Sequence, residues 1–315
     1  MSLLVHEPGL QTTIQAASRR GLRHLGVPSS GAADALSLAL ANRLLGNPWS
    51  APALEATLQG PLLEFGCDTC VAVTGGEVAL EINGKPVACH GNLAISAGDR
   101  LAIGRITGGA RTYIGIAGGV HGERVLGSES TYLPAAFGGF EGRALRAGDR
   151  LTLQPRAGDC ATLATPAEYR PRYTGAYVLR ACEGAEADLL DESSLALLFT
   201  QNWQVSVRAD RMGVALEGAT LEVASDGRMA SAPVFPGTVQ CPESGTPYLL
   251  GVDAQTTGGY PRVLQVIRAD RHLVGQLRPG DHVRFVQCAP AEAARLLQQK
   301  HAELASWLPD IVQVI

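Results

Sequence analysis

Short apolar runs separated by glycine constrain the fold of this chain more than any other feature. Runs such as 71–74, 78–82 and 263–267 have the length of a strand, are rich in β-branched residues and are flanked by turn residues. With 37 glycines among 315 residues, this pattern is typical of a β-rich barrel or sandwich. A chain of this length usually divides into two domains, because single cores stop growing.

One turn sequence recurs three times, in Gly98-Asp99-Arg100, Gly148-Asp149-Arg150 and Gly280-Asp281-His282, each followed by alternating residues. Glycine permits the turn and aspartate can bond nearby backbone N–H groups, so each motif predicts a turn that enters a strand. The recurrence is a weak indication of duplicated barrels. Asn83-Gly84 predicts a two-residue hairpin.

Helices are few in this pattern. We predict them over residues 34–45, 191–200 and 290–307, the first buried nearly all round because leucines cover more than one side. The stretch 155–175 is loop-like and is the best candidate boundary. The predicted organisation is listed in order: an N-terminal barrel at 1–160, a linker at 161–175, a C-terminal barrel at 176–290, and a C-terminal helix and tail at 291–315.

The charged residues exclude several functions. The formal charge of −4 does not indicate a basic surface for binding nucleic acid. Lys85 and Lys300 are the only lysines, and neither lies in a Gly-Lys-Ser/Thr step or in a context suited to a Schiff base. The chain therefore has no standard P-loop for ATP.

The seven cysteines come without a secretory leader or a long apolar segment, so we expect a reduced, cytoplasmic protein. Cys67 and Cys70 form one CxxC, which could be half of a zinc site or a redox pair. Because no second pair follows at zinc spacing, we favour a pair of small residues at a strand edge and predict no metal site.

Polar residues concentrate in four stretches of the second half: 210–213, 237–242, 253–261 and 270–272. Arginine and amide donors in such stretches could hold a carboxylate or amide substrate. Alternatively, the Asp and Thr side chains satisfy turn backbones, which we favour for the individual aspartates. For 253–261 we favour a binding site, since loops on a rigid barrel commonly carry function.

Two candidates lie in the first half. Asp34 could orient a substrate, or cap the N-terminus of the helix that follows it. Arg143 could bind an anionic substrate, or pair with Glu141 or Asp149.

Several longer motifs, in one order, resemble a known family. They are 13–15, 26–34, 41–47, 54–55, 127–131, 138–143, 210–213, 237–240 and 253–261. The chain is similar to the family of the 5-oxoprolinase C subunit, also called KipA or allophanate hydrolase subunit 2 and described as biotin-dependent carboxyltransferase-like.

The resemblance implies a mainly β fold of two tandem cyclophilin-like β-barrels with a few short helices and a C-terminal helix. It implies a cytoplasmic protein, inactive alone, that works with a B subunit that is KipI-like and an A subunit that is LamB/YcsF-like. Together they would open 5-oxo-L-proline to L-glutamate, with ATP and Mg required by the complex and no covalently bound cofactor.

The same resemblance, applied to the motif positions, gives a set of candidate site residues. Amide activation passes through an oxyanion that needs positioned donors. The candidate catalytic residues are Arg211, Gln240 and Asp253. The candidate substrate-binding residues are Asp34, Arg143, Gln255, Thr256, Thr257, Gly258, Gly259 and Tyr260.

Two other functions stay open. One is a carboxyltransferase-like protein that acts on urea or another amide, with biotin carried on another chain because no methionine adjoins either lysine. The other is a non-catalytic regulatory module that binds a KipI-like kinase inhibitor.

Overall fold

The glycine-separated apolar runs form strands, as the sequence predicts. The structure is a computed structural model that describes residues 1–154, 160, 162–224 and 229–315. Up to residue 154 the elements are β1 (Ser2–Glu7), β2 (Gln11–Gln15), α1 (Ala35–Leu44), β3 (Ala53–Thr57), β4 (Leu62–Phe65), β5 (Thr69–Ile82), β6 (Lys85–Val87), β7 (Asn92–Ile95), β8 (Arg100–Ile116) and β9 (Arg150–Thr152).

The remaining elements follow residue 175. They are β10 (Ala176–Glu183), α2 (Glu192–Thr200), β11 (Trp203–Ala209), β12 (Gly213–Glu217), β13 (Ala232–Pro233), β14 (Thr238–Gln240), β15 (Tyr248–Leu250), β16 (Thr257–Gly258), β17 (Arg262–Val266), α3 (Arg271–Val274), β18 (His282–Gln287), α4 (Pro290–Leu304) and α5 (Ile311–Val314).

These elements form two compact units, each assembled from separate stretches of chain. The first unit contains Met1–Arg19, Ser30–Tyr173 and Leu304–Val314, and the second contains Arg20–Ser29, Thr174–Glu303 and Ile315. Most of the predicted linker thus lies in the first unit, where the Tyr173 hydroxyl donates to Asp34 Oδ2 at 3.1 Å.

The first unit is built on one nine-stranded sheet, in which β2-β3-β8-β4-β1-β9 form a continuous path. β5 pairs with β8 and carries β6 and β7, and the sheet curls into half a barrel. Its apolar face buries side chains such as Leu3, Phe65 and Ile114 completely. The Asn83-Gly84 hairpin joins β5 to β6 with φ of 52° and 76°, as expected of a turn that needs two positive φ angles.

The second unit is a closed barrel of seven strands in the order β10-β17-β14-β15-β12-β11-β18. Trp203 and Phe285 are fully buried in it. β13 and β16 form a separate two-stranded ribbon. The prediction of a mainly β fold with barrels, a few short helices and a C-terminal helix is confirmed.

Two of the three predicted helices begin at the expected caps. Asp34 accepts from Ser37 N at the start of α1, and Asp191 accepts from Ser194 N at the start of α2. α4 ends at Leu304, three residues before the predicted boundary. No helix within the described residues is long and apolar enough to cross a membrane.

The three Gly-Asp turns have one geometry. Gly98, Gly148 and Gly280 have φ between 89° and 90°, and their N–H groups donate to the carbonyls of Phe65, Val5 and Val205. In each case the N–H of that same strand residue donates back to the aspartate carbonyl. Each aspartate side chain also accepts from the backbone N–H three residues earlier. Each turn therefore connects the start of one strand to a neighbouring strand by two backbone hydrogen bonds.

We expect Gly280→Ala to lower the free energy of unfolding by about 1 to 2 kcal/mol, because a Cβ is disfavoured at this positive φ. No atom of the described residues lies within 4 Å of the position of that Cβ, so a steric clash adds nothing. Gly280→Asn should lose less, since asparagine tolerates left-handed geometry. Urea unfolding followed by circular dichroism measures both, and equal losses for the two variants would contradict this explanation.

Candidate functional site

The second unit contains a cavity of about 440 Å³ that brings together three of the predicted site residues: Gln240, Gln255 and Tyr260. Its other lining residues are Arg208, Ala215, Pro242, Ser244, Thr246 and Tyr248. The wall thus combines two carboxamides, two aliphatic hydroxyls, two phenols and one guanidinium. Such a set can hydrogen-bond a small polar molecule and neutralise one negative charge.

Gln240 is the buried centre of this wall, with 2% of its surface exposed. It ends β14, where the pairing with β17 shifts register between Val239 and Gln240. Its Nε2 donates to the Tyr260 carbonyl at 3.1 Å, and its Oε1 accepts from Gln255 Nε2 at 3.2 Å. The two amides therefore position each other.

The loop 253–261 is held beside Gln240 by backbone contacts. β16 pairs with β13, and Val234 N donates to the Thr256 carbonyl at 3.0 Å. Arg23, which belongs to this unit, donates to the carbonyls of Gln255 and Val234.

A Cβ at Gly258 would lie 2.6 Å from Gln240 Nε2, so a side chain at this position would force the Gln240 amide to shift. The backbone also approaches closely at Gly259, because a Cβ at that position would lie 3.2 Å from the Met229 carbonyl oxygen. Thr256 and Thr257 contribute backbone to the ribbon and are not among the described residues that line the cavity. The loop predicted as a site thus supplies two lining side chains, Gln255 and Tyr260.

Arg211 and Asp253, predicted as catalytic, are buried and bind each other. Arg211 is 5% exposed and Asp253 is 1% exposed. Arg211 Nε lies 2.7 Å from Asp253 Oδ2, Nη2 lies 3.2 Å from Oδ1, and Asp253 N donates to the Arg211 carbonyl. Within the described residues, neither is part of the cavity wall. The pair joins the loop before β12 to the loop that carries Gln255.

Asp34 and Arg143 lie in the first unit. Each makes the contacts that the sequence offered as the alternative to substrate binding, a helix cap for Asp34 and ion pairs for Arg143. The Asp34 carboxylate is fully buried and accepts from Ser37 N, Ser37 Oγ and Tyr173 Oη. Arg143 forms a two-bonded pair with Asp149 at 2.7 and 2.9 Å and a further bond to Glu141. These bonds to Arg143 hold the pKa of Asp149 below its usual range.

Asp34 belongs to a buried network around Tyr113. Asp34 N donates to the Tyr113 hydroxyl, which in turn donates to Glu55 Oε2 at 2.8 Å. Burial, followed by the charges of Glu55 and Asp34, raises the pKa of Tyr113 well above its ordinary value. The phenol therefore stays protonated and acts as a structural donor.

The polar stretch 270–272 also faces inward. Asp270 makes a two-bonded pair with Arg180, and Lys300 Nζ lies 3.3 Å from His272 Nε2 while donating to the Ala269 carbonyl. Burial and the nearby Lys300 lower the pKa of His272 to about 3, so this imidazole is neutral at pH 7. These side chains satisfy one another and the local backbone.

A second cavity, of about 450 Å³, lies in the first unit and includes Arg43, Cys67, Asp68, Cys70 and Cys160 in its wall. A disulfide joins Cys70 to Cys160, with the Cα atoms 5.6 Å apart. The expectation of reduced cysteines did not foresee this pairing. The two positions are 90 residues apart, so no local spacing signals their contact. Cys67, the other half of the CxxC, is a free thiol.

Sequence reasoning missed Arg208, Ser244, Thr246 and Tyr248. Arg208 gave no sequence signal, because apolar and polar residues alternate regularly from Trp203 to Ala209. Only the structure shows that burial departs from this alternation after Val205, where Ser206 is buried and Val207 is 84% exposed. Burial, followed by the charge of Asp210, raises the pKa of Tyr248, and Arg208 opposes this shift. Tyr248 is thus a neutral phenol at pH 7.

Comparisons with known proteins agree with this architecture. The family model for the carboxyltransferase domain, subdomain A and B, matches residues 25–287. The 5-oxoprolinase C subunit of Escherichia coli (strain K12) is 37% identical over 97% of this chain and 98% of its own length. The urea amidolyase of Lachancea kluyveri is 32% identical over 95% of this chain, which spans 18% of that protein.

A solved structure gives the same result for the fold. The crystal structure of the K. lactis urea amidolyase matches with a TM-score of 0.92 and 31% identity over 97% of this chain. This chain spans 20% of that much longer protein. The resemblance inferred from the motifs is confirmed.

If Arg211 and Asp253 have a structural role, replacing one partner should lower the free energy of unfolding more than replacing both. We expect Arg211→Met to lower the free energy of unfolding by about 3 to 5 kcal/mol, because it leaves a buried carboxylate without its cation. The double variant Arg211→Met, Asp253→Leu should recover most of that loss. Urea unfolding measures the wild type and both variants. An Arg211→Met protein as stable as the wild type would favour the catalytic role instead.

Proposed function

The chain belongs to the carboxyltransferase domain family, subdomains A and B, and on this premise we propose that it is the C subunit of a multi-subunit 5-oxoprolinase. The observation that carries the proposal is the 37% identity with the corresponding E. coli protein, which extends over 97% of one chain and 98% of the other. The complex opens the cyclic amide of 5-oxo-L-proline to give L-glutamate, and this chain alone is inactive.

The cavity of the second unit suits a cyclic amide. Gln240 and Gln255 each offer a carbonyl acceptor and N–H donors, which complement the N–H and C=O of a lactam. Their mutual bond at 3.2 Å uses only part of that capacity. As the lactam carbonyl is activated, its oxygen gains negative charge, and preorganised N–H donors stabilise that charge.

In this proposal ATP and Mg serve the complex. The chain lacks a Gly-Lys-Ser/Thr step, so we assign the phosphate-binding loop to a partner. In the described part of the chain, no group of three or more His, Cys, Asp or Glu side chains could hold a metal ion. The proposed partners are one KipI-like protein and one LamB/YcsF-like protein, in the cytoplasm.

The test is glutamate formation from 5-oxo-L-proline and ATP by the reconstituted complex. We expect Gln255→Ala to lower kcat/KM by about five- to tenfold, because a lost hydrogen bond to the reacting amide is worth about 1 to 1.5 kcal/mol. Gln204→Ala removes an exposed amide of β11 and serves as the matched control. Undiminished turnover when this chain is omitted would contradict the proposal.

A carboxyltransferase acting on urea or another amide is the second candidate, favoured by the family model and by the urea amidolyase relatives. Biotin would then arrive on another chain, because Lys85 in the β5–β6 hairpin is flanked by Gly84 and Pro86. Avidin distinguishes the two candidates. It should leave the 5-oxoprolinase reaction unchanged and abolish a biotin-dependent carboxylation.

A further inference from the structure

Arg208 is a cation on the cavity wall that no carboxylate of the described residues neutralises. Its side chain is exposed and lines the same cavity as Gln240 and Gln255. Asp210 is an acidic residue close enough to Tyr248 to raise the pKa of that phenol, which Arg208 lowers. The Asp210 carboxylate, however, accepts from the backbone N–H groups of Met212 and Gly213, at 2.7 and 3.2 Å.

A bulge in β11 places Arg208 at the cavity. β11 and β12 pair at Val205↔Leu216 and again at Ala209↔Val214. Between these two pairs, β11 advances by four residues and β12 by only two. Within this bulge Ser206 turns inward and accepts from Arg208 N at 3.4 Å, while Val207 is 84% exposed. Bulges commonly re-aim a side chain beside a functional site.

The other polar groups of the wall indicate which groups a ligand would carry in addition to its negative charge. Gln240 and Gln255 complement an amide, and Ser244 and Thr246 add hydroxyls. A volume of about 440 Å³ is within the range of small-molecule sites. A guanidinium binds a carboxylate through two parallel hydrogen bonds, which gives both orientation and affinity.

We propose that Arg208 binds the carboxylate of a small acid whose amide group is held by Gln240 and Gln255. Arg208 is then the residue that distinguishes a lactam carrying a carboxylate from the same lactam without one. The inference rests on the proposed function for the choice of a cyclic amide, and it adds the anchoring residue and the anionic substrate class.

The test compares two ligands with the full-length chain: 5-oxo-L-proline, and 2-pyrrolidinone, which has the same lactam ring without the carboxylate. Isothermal titration or ligand-observed NMR gives the dissociation constants. The wild type should bind 5-oxo-L-proline at least about tenfold more tightly than 2-pyrrolidinone, as expected for a hydrogen-bonded charge pair. Arg208→Ala should abolish this preference, and Arg208→Lys should retain part of it.

Arg284→Ala is the matched control, because Arg284 is an exposed arginine of β18 in the same barrel and does not line the cavity among the described residues. It should keep the wild-type preference. An Arg208→Ala protein that still prefers 5-oxo-L-proline would overturn the inference. So would a wild type that binds the two ligands equally or binds neither.

Failure of the proposed function gives a different result. If the reconstituted complex forms no glutamate but the carboxylate preference depends on Arg208, the 5-oxoprolinase assignment is wrong and the anion-anchoring role of Arg208 stands. If glutamate is formed with an unchanged KM in Arg208→Ala, the assignment stands and the anchoring role is wrong.

Discussion

The ion pair between Arg211 and Asp253 is the constraint on which the geometry of the second unit depends. Removing each charge from water costs several kcal/mol, and this cost is offset only when the partners meet with good geometry. The pair also links two loops through the bond from Asp253 N to the Arg211 carbonyl. Gln255 lies two residues beyond Asp253, so its position follows from the pair.

The cavity itself arises where the barrel departs from regular strand pairing. The bulge in β11 presents Arg208, and the register shift in β14 presents Gln240. The absence of a side chain at Gly258 lets a loop backbone approach the Gln240 amide. A regular barrel would bury or expose these side chains by simple alternation, and its wall would lack a recess of this chemistry.

Local signals explain why much of the fold could be predicted from the sequence. The Gly-Asp turns, the Asn83-Gly84 hairpin and the caps Asp34 and Asp191 each depend on residues within a few positions of one another. The loop 253–261 was recognisable from its composition. Arg208 and the Cys70–Cys160 contact were not, because a bulge and a disulfide depend on pairing with distant segments. Composition also could not show that Arg211 and Asp253 face each other.

The segment Arg20–Ser29 has a consequence for how the chain is made. Arg23 and Gln255 are 232 positions apart and nevertheless contact each other within the second unit. During synthesis at roughly 5 to 20 residues per second, Arg23 leaves the ribosome on the order of 10 to 50 seconds before Gln255. The order of translation therefore delays completion of the second unit. A fragment that begins at residue 174 lacks the contacts of Arg23 with Val234 and Gln255.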